Sequence, residues 1–462
     1  MAEENRYAVA TGDWTDTATW STSSGGSGGA SVPDTDQHAI IESGVNVTIN
    51  ANDEIKSLTV NSGGTLTGNS SYSLTLNDEG DSTYGTAGYA LKVVGALGTN
   101  VNIILTTQAT TIILVSTSGA GGSLHNLTIN HASCDAVQFS HITLAGNLTI
   151  TAGALSTGSD KNLTVTGDVS VTGTLTGNAS AISMGSLTIA DGGTYTGTSG
   201  TTTITSEKAS SGFAWKNEET DGTGFAHNNG TVTITTGATT HIMESSFYNL
   251  TINQSGQNFY WRDSAGALLT IHNDLSVTGN FYRNTAGDTL TVTGDVTIPN
   301  NGVIGQASES GANNFGSLTI ESGGTYVATS GTTTITSEAG SGYALEVSGT
   351  FTHNNGTVTV TTAATTFIKS GSSLYNLIIN ASSQTHEWVE NTTIANDLTI
   401  TAGRFTHNSS TNTLTVTGDV LISSGGEIDG GSTTVTFGSL EIASGGTYVA
   451  TSGTTTLNGG GA

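Results

Sequence analysis

A block of about 125 residues recurs nearly three times along this chain, and that recurrence restricts the possible folds more than any other feature. Asn126-Leu-Thr-Ile-Asn130 returns as Asn249-Leu-Thr-Ile-Asn253 and as Asn376-Leu-Ile-Ile-Asn380, steps of 123 and 127 residues. Leu163-Thr-Val-Thr-Gly-Asp-Val169 returns at Leu290 and at Leu414. Gly185-Ser-Leu-Thr-Ile189 reappears from Gly316 and, with Glu in place of Thr, from Gly438. His227-Asn-Asn-Gly-Thr-Val-Thr233 reappears from His353. The third copy stops near Thr454-Thr-Thr-Leu457 where the other two continue, so the expectation is a natural protein longer than this chain.

Within each block runs a shorter repeat of roughly 15 to 25 residues, an apolar-Thr-apolar strand followed by a Gly or Asn turn. Leu148-Thr-Ile150, Leu187-Thr-Ile189, Val232-Thr-Ile234 and Leu398-Thr-Ile400 are examples. Strict alternation is the mark of a half-buried strand, and no segment has helical periodicity over a useful length. One turn of about 20 residues loses on the order of 20–40 kcal/mol of backbone entropy when ordered. Its few inward apolar side chains return only roughly 1.5–3 kcal/mol each. A single turn therefore cannot fold alone, whereas stacked turns bond to both neighbours and share one apolar column. The expected fold is all-β, a right-handed parallel β-helix (β-solenoid) forming a rod on the order of 100 Å long. The expected organisation is an N-terminal cap with the first turns (1–65), a lead-in (66–124) and three blocks: 125–247, 248–374 and an incomplete 375–462.

Composition suits a thin core. Only 10% of the residues are charged and 34% are hydrophobic, while 63 glycines and 2 prolines leave the turns to Gly, Asn, Asp and Ser. The net charge of −26 disfavours nucleic acid and anionic membrane as partners. The one cysteine, Cys134, precludes an intrachain disulfide framework and a Cys-rich zinc site. No apolar run reaches membrane-spanning length, and no secretion signal is visible after Met1.

The first 65 residues differ from the rest. Trp14 and Trp20 lie in Gly12-Asp-Trp-Thr-Asp-Thr-Ala-Thr-Trp20, ahead of a loop from Ser21 to Ala30 and then Val32-Pro-Asp34. An open solenoid end exposes unpaired strand edges, so both tryptophans are expected to cap it. This run, with Ser57-Leu-Thr-Val-Asn-Ser-Gly-Gly-Thr-Leu-Thr67, resembles the lead-in of β-helical phage structural proteins and of large bacterial β-solenoid adhesins. The resemblance implies a tail, fibre or surface-attachment component located in the virion. Its implied partners are host cell-surface polysaccharide, other virion or filament subunits, and further copies in a homotrimer. A secreted bacterial adhesin or extracellular filament subunit is the alternative, and a polysaccharide-degrading tailspike a lesser one.

Candidate chemistry is sparse, and the expectation is no catalytic residue, no metal and no cofactor. Asp168, Asp295 and Asp419 follow Thr-Gly in every block, about six turns or roughly 30 Å apart. A glycosidase pair needs about 5–10 Å, so these read as turn residues. Asp34, Asp36, Asp53 and Glu54 cluster near the cap without an electrophilic partner. His227, His353 and His407 sit in repeated Phe-x-His-Asn turns too far apart to share a metal. Outward Thr-x-Thr pairs resemble ice-binding faces, but the turns vary too much in length for a flat lattice. The segments Gln257 to Asp263 and Gln384 to Glu390 place Trp261 and Trp388 at equivalent positions, 127 residues apart. Tyr260, Trp261, Arg262 and Trp388 are the candidate glycan platform, by aromatic stacking with Arg262 gripping hydroxyls; stacking within the core is the other reading.

Overall fold

A computed structural model describes residues 4–80, 83–84, 87–115, 123–219, 223–244, 246–262 and 268–459. The chain is an all-β parallel solenoid of about 18 turns. The one helical segment among the described residues is a single 3-10 turn, Thr17–Thr19. Two compact units are resolved, Met1–Thr231 and Val232–Ala462.

In unit 1 the alternating triplets stack like on like. Leu127, Thr128 and Ile129 pair in register with Leu148, Thr149 and Ile150, and these with Val169, Ser170 and Val171. The apolar members are fully buried. Each thus contributes on the order of 1.5–3 kcal/mol while its neighbours' hydroxyls stay at the surface. Unit 2 repeats the arrangement, with Leu250 and Ile252 over Leu275 and Val277, and Leu377 and Ile379 over Leu398 and Ile400. The rise from one turn to the next takes 19 residues where Leu163 meets Ile182 and 28 where Leu187 meets Trp215.

The Thr-Gly-Asp corners are where the register slips, between Val165 and Asp168, Val292 and Asp295, and Val416 and Asp419. A slipped corner leaves backbone N–H groups without a ladder partner, and a column of side chains supplies one. Asn126 Oδ1 accepts from the amide of Asn147 at 2.7 Å, Asn147 Oδ1 from Asp168 at 2.9 Å, and Asp168 Oδ1 from the Ser186 hydroxyl at 2.6 Å. In the second copy Asn249, Asp274, Asp295 and Ser317 repeat the column; in the third, Asn376, Asp397, Asp419 and Ser439 do. Glycine is needed at these corners because the column passes so close. A Cβ on Gly167 would lie 2.2 Å from Asn147 Oδ1, and one on Gly294 2.4 Å from Asp274 Oδ1.

At the start of unit 1, Glu4–Ala8 pairs in parallel with Gln37–Ile41 on one edge. Its other edge is covered antiparallel by Trp20–Ser21, with Ala8 opposite Trp20. Trp14 and Trp20 are fully buried, edge to face with centroids 4.8 Å apart. Trp14 Nε1 donates to Asp53 Oδ2 at 2.7 Å and Trp20 Nε1 to the Trp14 carbonyl at 2.8 Å. A four-stranded parallel sheet of Gly12–Asp13, Asn46–Thr48, Thr65–Thr67 and Ala96–Leu97 lies beside them.

Candidate functional site

The two long strands that follow the Asn-Leu-Thr/Ile-Ile-Asn motif carry the predicted platform, Asn249–Trp261 and Asn376–Trp388. The structure corrects the platform reading for both tryptophans. Trp261 and Trp388 are fully buried, so neither offers a face to a ligand. Trp261 Nε1 donates to the carbonyl of Glu244 at 3.1 Å, and Trp388 packs on Phe405 with centroids 4.7 Å apart. The cause is a change of parity along the strand. Leu250 and Ile252 point inward at even positions; the register then slips between Asn253 and Asn258, where Gly256 has φ +77°. Beyond this corner the odd positions Phe259 and Trp261 are the buried ones. Counting alternation straight through from Leu250 would place Trp261 outside and Tyr260 inside.

The same reversal turns Tyr260 outward, half-buried, and leaves Arg262 exposed; Asp263 lies outside the described residues. Three neighbouring strands of unit 2 build one surface around them. Thr240–Met243 contributes His241, paired in register with Tyr260, and Leu275–Arg283 contributes Tyr282, paired with Tyr260 on the other side. Ring centroids lie 5.5 Å apart from His241 to Tyr260 and 5.7 Å from Tyr260 to Tyr282, tilted by 34° and 49°. Beside this column Asn280 Nδ2 donates to Asn258 Oδ1 at 2.8 Å. Burial lowers the pKa of His241 and the charge of Arg262 adds to the shift; burial raises that of Tyr282, helped by Tyr260 and Glu309. Arg262 makes no ion pair among the described residues.

One polar group that the sequence reading missed lies beneath this surface. Arg283, inward on the same strand as Tyr282, forms a buried ion pair with Glu309, Nη1 to Oε2 at 2.5 Å. Asn313 accepts from the guanidinium, donates to the Tyr326 hydroxyl at 2.6 Å, and Tyr326 reaches Thr333 at 2.8 Å. Burial pushes the Glu309 carboxyl up, against the pull of Arg283. Such a carboxyl would suit acid catalysis, but Glu309 is closed off from solvent, 1% exposed. The equivalent of Arg283 is Thr157 in the first copy and His407 in the third, each opposite the residue that matches Trp261. In the third copy His386 is fully buried where the second has Phe259. Neither His386 ring nitrogen, nor Trp388 Nε1, nor His407 Nδ1 has a hydrogen-bond partner among the described residues.

The remaining candidates are structural in their contacts. Asp168, Asp295 and Asp419 are spent on the corner columns. Asp53 holds Trp14, Glu54 accepts from Asn77 at 3.0 Å, and Asp34 accepts from the amide of Asp36 at 3.0 Å. His227 and His353 accept through Nδ1 from the amides of Asn229 and Asn355, both at 3.1 Å. These Asn-Asn pairs all have positive φ, between 46° and 58°. A shallow groove of about 280 Å³ in unit 1 is lined by Asn102, Asn126 and Asn147, whose amides are already bonded to one another and to the backbone. No group of three or more His, Cys, Asp or Glu among the described residues could hold a metal ion. No protein-family model matches the chain, and no curated protein or solved structure compared with it matches either.

Proposed function

We propose that the chain is a non-enzymatic structural and adhesive β-solenoid that displays binding surfaces on a repeated scaffold. The observation that carries this reading is how the copies differ. Before the corner the inward positions are held: Leu127, Leu250 and Leu377 correspond, as do Ile129, Ile252 and Ile379. Beyond the corner neither face is held: outward Val137, Tyr260 and Glu387 correspond, and so do inward Ala136, Phe259 and His386. A constant strand that carries a changing segment suits recognition, because binding specificity resides in the segment that varies. Within that role we place the chain in a virion, as a fibre, spike or decoration protein that contacts host cell-surface polysaccharide. Other virion subunits or two further copies in a homotrimer would be its neighbours. The resemblance of the lead-in supports this, and it equally supports a secreted bacterial adhesin or filament subunit. The net charge of −26 disfavours nucleic acid and anionic membrane as partners, and no helix among the described residues is long and apolar enough to cross a membrane.

Immunogold electron microscopy on particles and cells from the source tests the reading. Gold on phage-like particles is the expected result. Gold on cell surfaces with bare particles would replace the virion by the adhesin. Release of reducing ends from host polysaccharide by the purified chain would overturn the non-enzymatic part.

A further inference from the structure

We infer that the outward face of unit 2 formed by His241, Asn258, Tyr260, Arg262, Asn280 and Tyr282 is a binding site for a neutral polysaccharide. This rests on the adhesive reading and names the ligand class and the place. A hexose presents two kinds of surface, a rim of hydroxyls that each donate and accept and a face of C–H groups that is apolar and weakly positive. The tilted column His241–Tyr260–Tyr282 answers the second, since aromatic faces carry the negative end of the ring quadrupole. The amide pair answers the first. Once Asn280 Nδ2 has bonded to Asn258 Oδ1, the Asn258 amide N–H groups and Asn280 Oδ1 have no other partner among the described residues. A donor and an acceptor therefore stand side by side, which is what one hydroxyl or a vicinal pair requires. Arg262 adds donors at the edge, with no carboxylate of the described residues engaging it.

The charge of the molecule chooses between neutral and acidic sugars. An isolated exposed guanidinium contributes little to binding a carboxylate in water, while the chain as a whole carries −26 and repels a polyanion. The combination is particular to the second copy. The first has Asp135, Val137, Phe139, Ala154 and Ser156 at these places, and the third has Thr385, Glu387, Val389, Arg404 and Thr406.

The copies also supply the control. The triple variant Tyr260→Val, Asn280→Ala, Tyr282→Ser installs three of these five first-copy residues on the second copy, so a folded scaffold is expected. The full chain and this variant are tested by biolayer interferometry on immobilised dextran, galactan, mannan and xylan, with polygalacturonate as the acidic probe, beside circular dichroism melts. The expected result is binding to at least one neutral polymer that weakens by about tenfold or more in the variant, with an unchanged melt and no preference for polygalacturonate. Equal binding by the variant, preference for polygalacturonate, or no binding to any neutral polymer each overturns the proposal. Host-cell adhesion that survives the triple variant would remove this site and leave the adhesive reading standing. Loss of the melting transition in the variant is resolved by Arg262→Gln, at an exposed position, with the same binding readout.

Discussion

His386 occupies a core position that the second copy gives to Phe259, and a core has no water to solvate an imidazolium. Burial accordingly lowers its pKa from 6.5 to about 4. The native state then holds the ring neutral while the unfolded chain takes up a proton below 6.5. The stability this supplies is present above pH 6.5 and is lost as pH falls toward 4, to the extent of about 3 kcal/mol. We predict that His386→Phe flattens the acid limb of urea-unfolding stability between those values. The same slope in variant and parent would remove His386 as the cause. Nothing in the sequence marks this histidine as buried, because its inward orientation depends on the register slip before Thr385. Tyr260 and Arg262 were legible as surface residues from their chemistry, whereas the choice between platform and core for Trp261 and Trp388 turned on the same slip as His386, and the core reading is the one that holds. The Arg283–Glu309 pair was hidden because its members lie 26 residues apart, a separation that means contact only once the turn length is known.

At the scale of the strand, alternation of Leu, Ile and Val with Thr was sufficient to read the parallel solenoid and the inward columns. It failed only at corners, where a strand bends and the count of residues ceases to follow the pleat. The Thr-Gly-Asp triplets are such corners, and their glycines admit the side-chain column that satisfies the backbone there. Gly294→Ala would force a Cβ to 2.4 Å from Asp274 Oδ1, whereas a Cβ on Gly237 would meet nothing within 4 Å. We expect the first substitution to cost about 1–3 kcal/mol by overpacking and the second to be neutral or stabilising by up to about 1 kcal/mol. Equilibrium denaturation of both variants checks this. A neutral Gly294→Ala would show that the column yields without loss.

The molecule as a whole carries 36 acidic residues against 10 Lys and Arg, and several of its acids stand in vertical series at the corners. Asp274 and Asp295 succeed each other on adjacent turns, as do Asp397 and Asp419. Adjacent turns are about 4.8 Å apart, well inside the screening length of about 10 Å at 0.1 M salt. Repulsion between them weakens as salt rises, so the melting temperature should increase from low salt to about 0.5 M sodium chloride and then level off. A melting temperature that is flat or falls over that range would mean that ion pairs such as Arg404 with Glu427 and Asp429 outweigh the acidic columns.

The corner at Gly256 has a consequence for how such a chain can change over generations. A point substitution alters one side chain, whereas a change of length at this corner is absorbed by the bend: the next turn goes from Thr278 to Asn280 where this one goes from Asn253 to Asn258, and it still sets Phe281 beside Phe259 in the core and Tyr282 beside Tyr260 outside. Insertions and deletions at these bends thus act as slack taken up in a seam, changing the length of a turn while the strands on either side keep their fit.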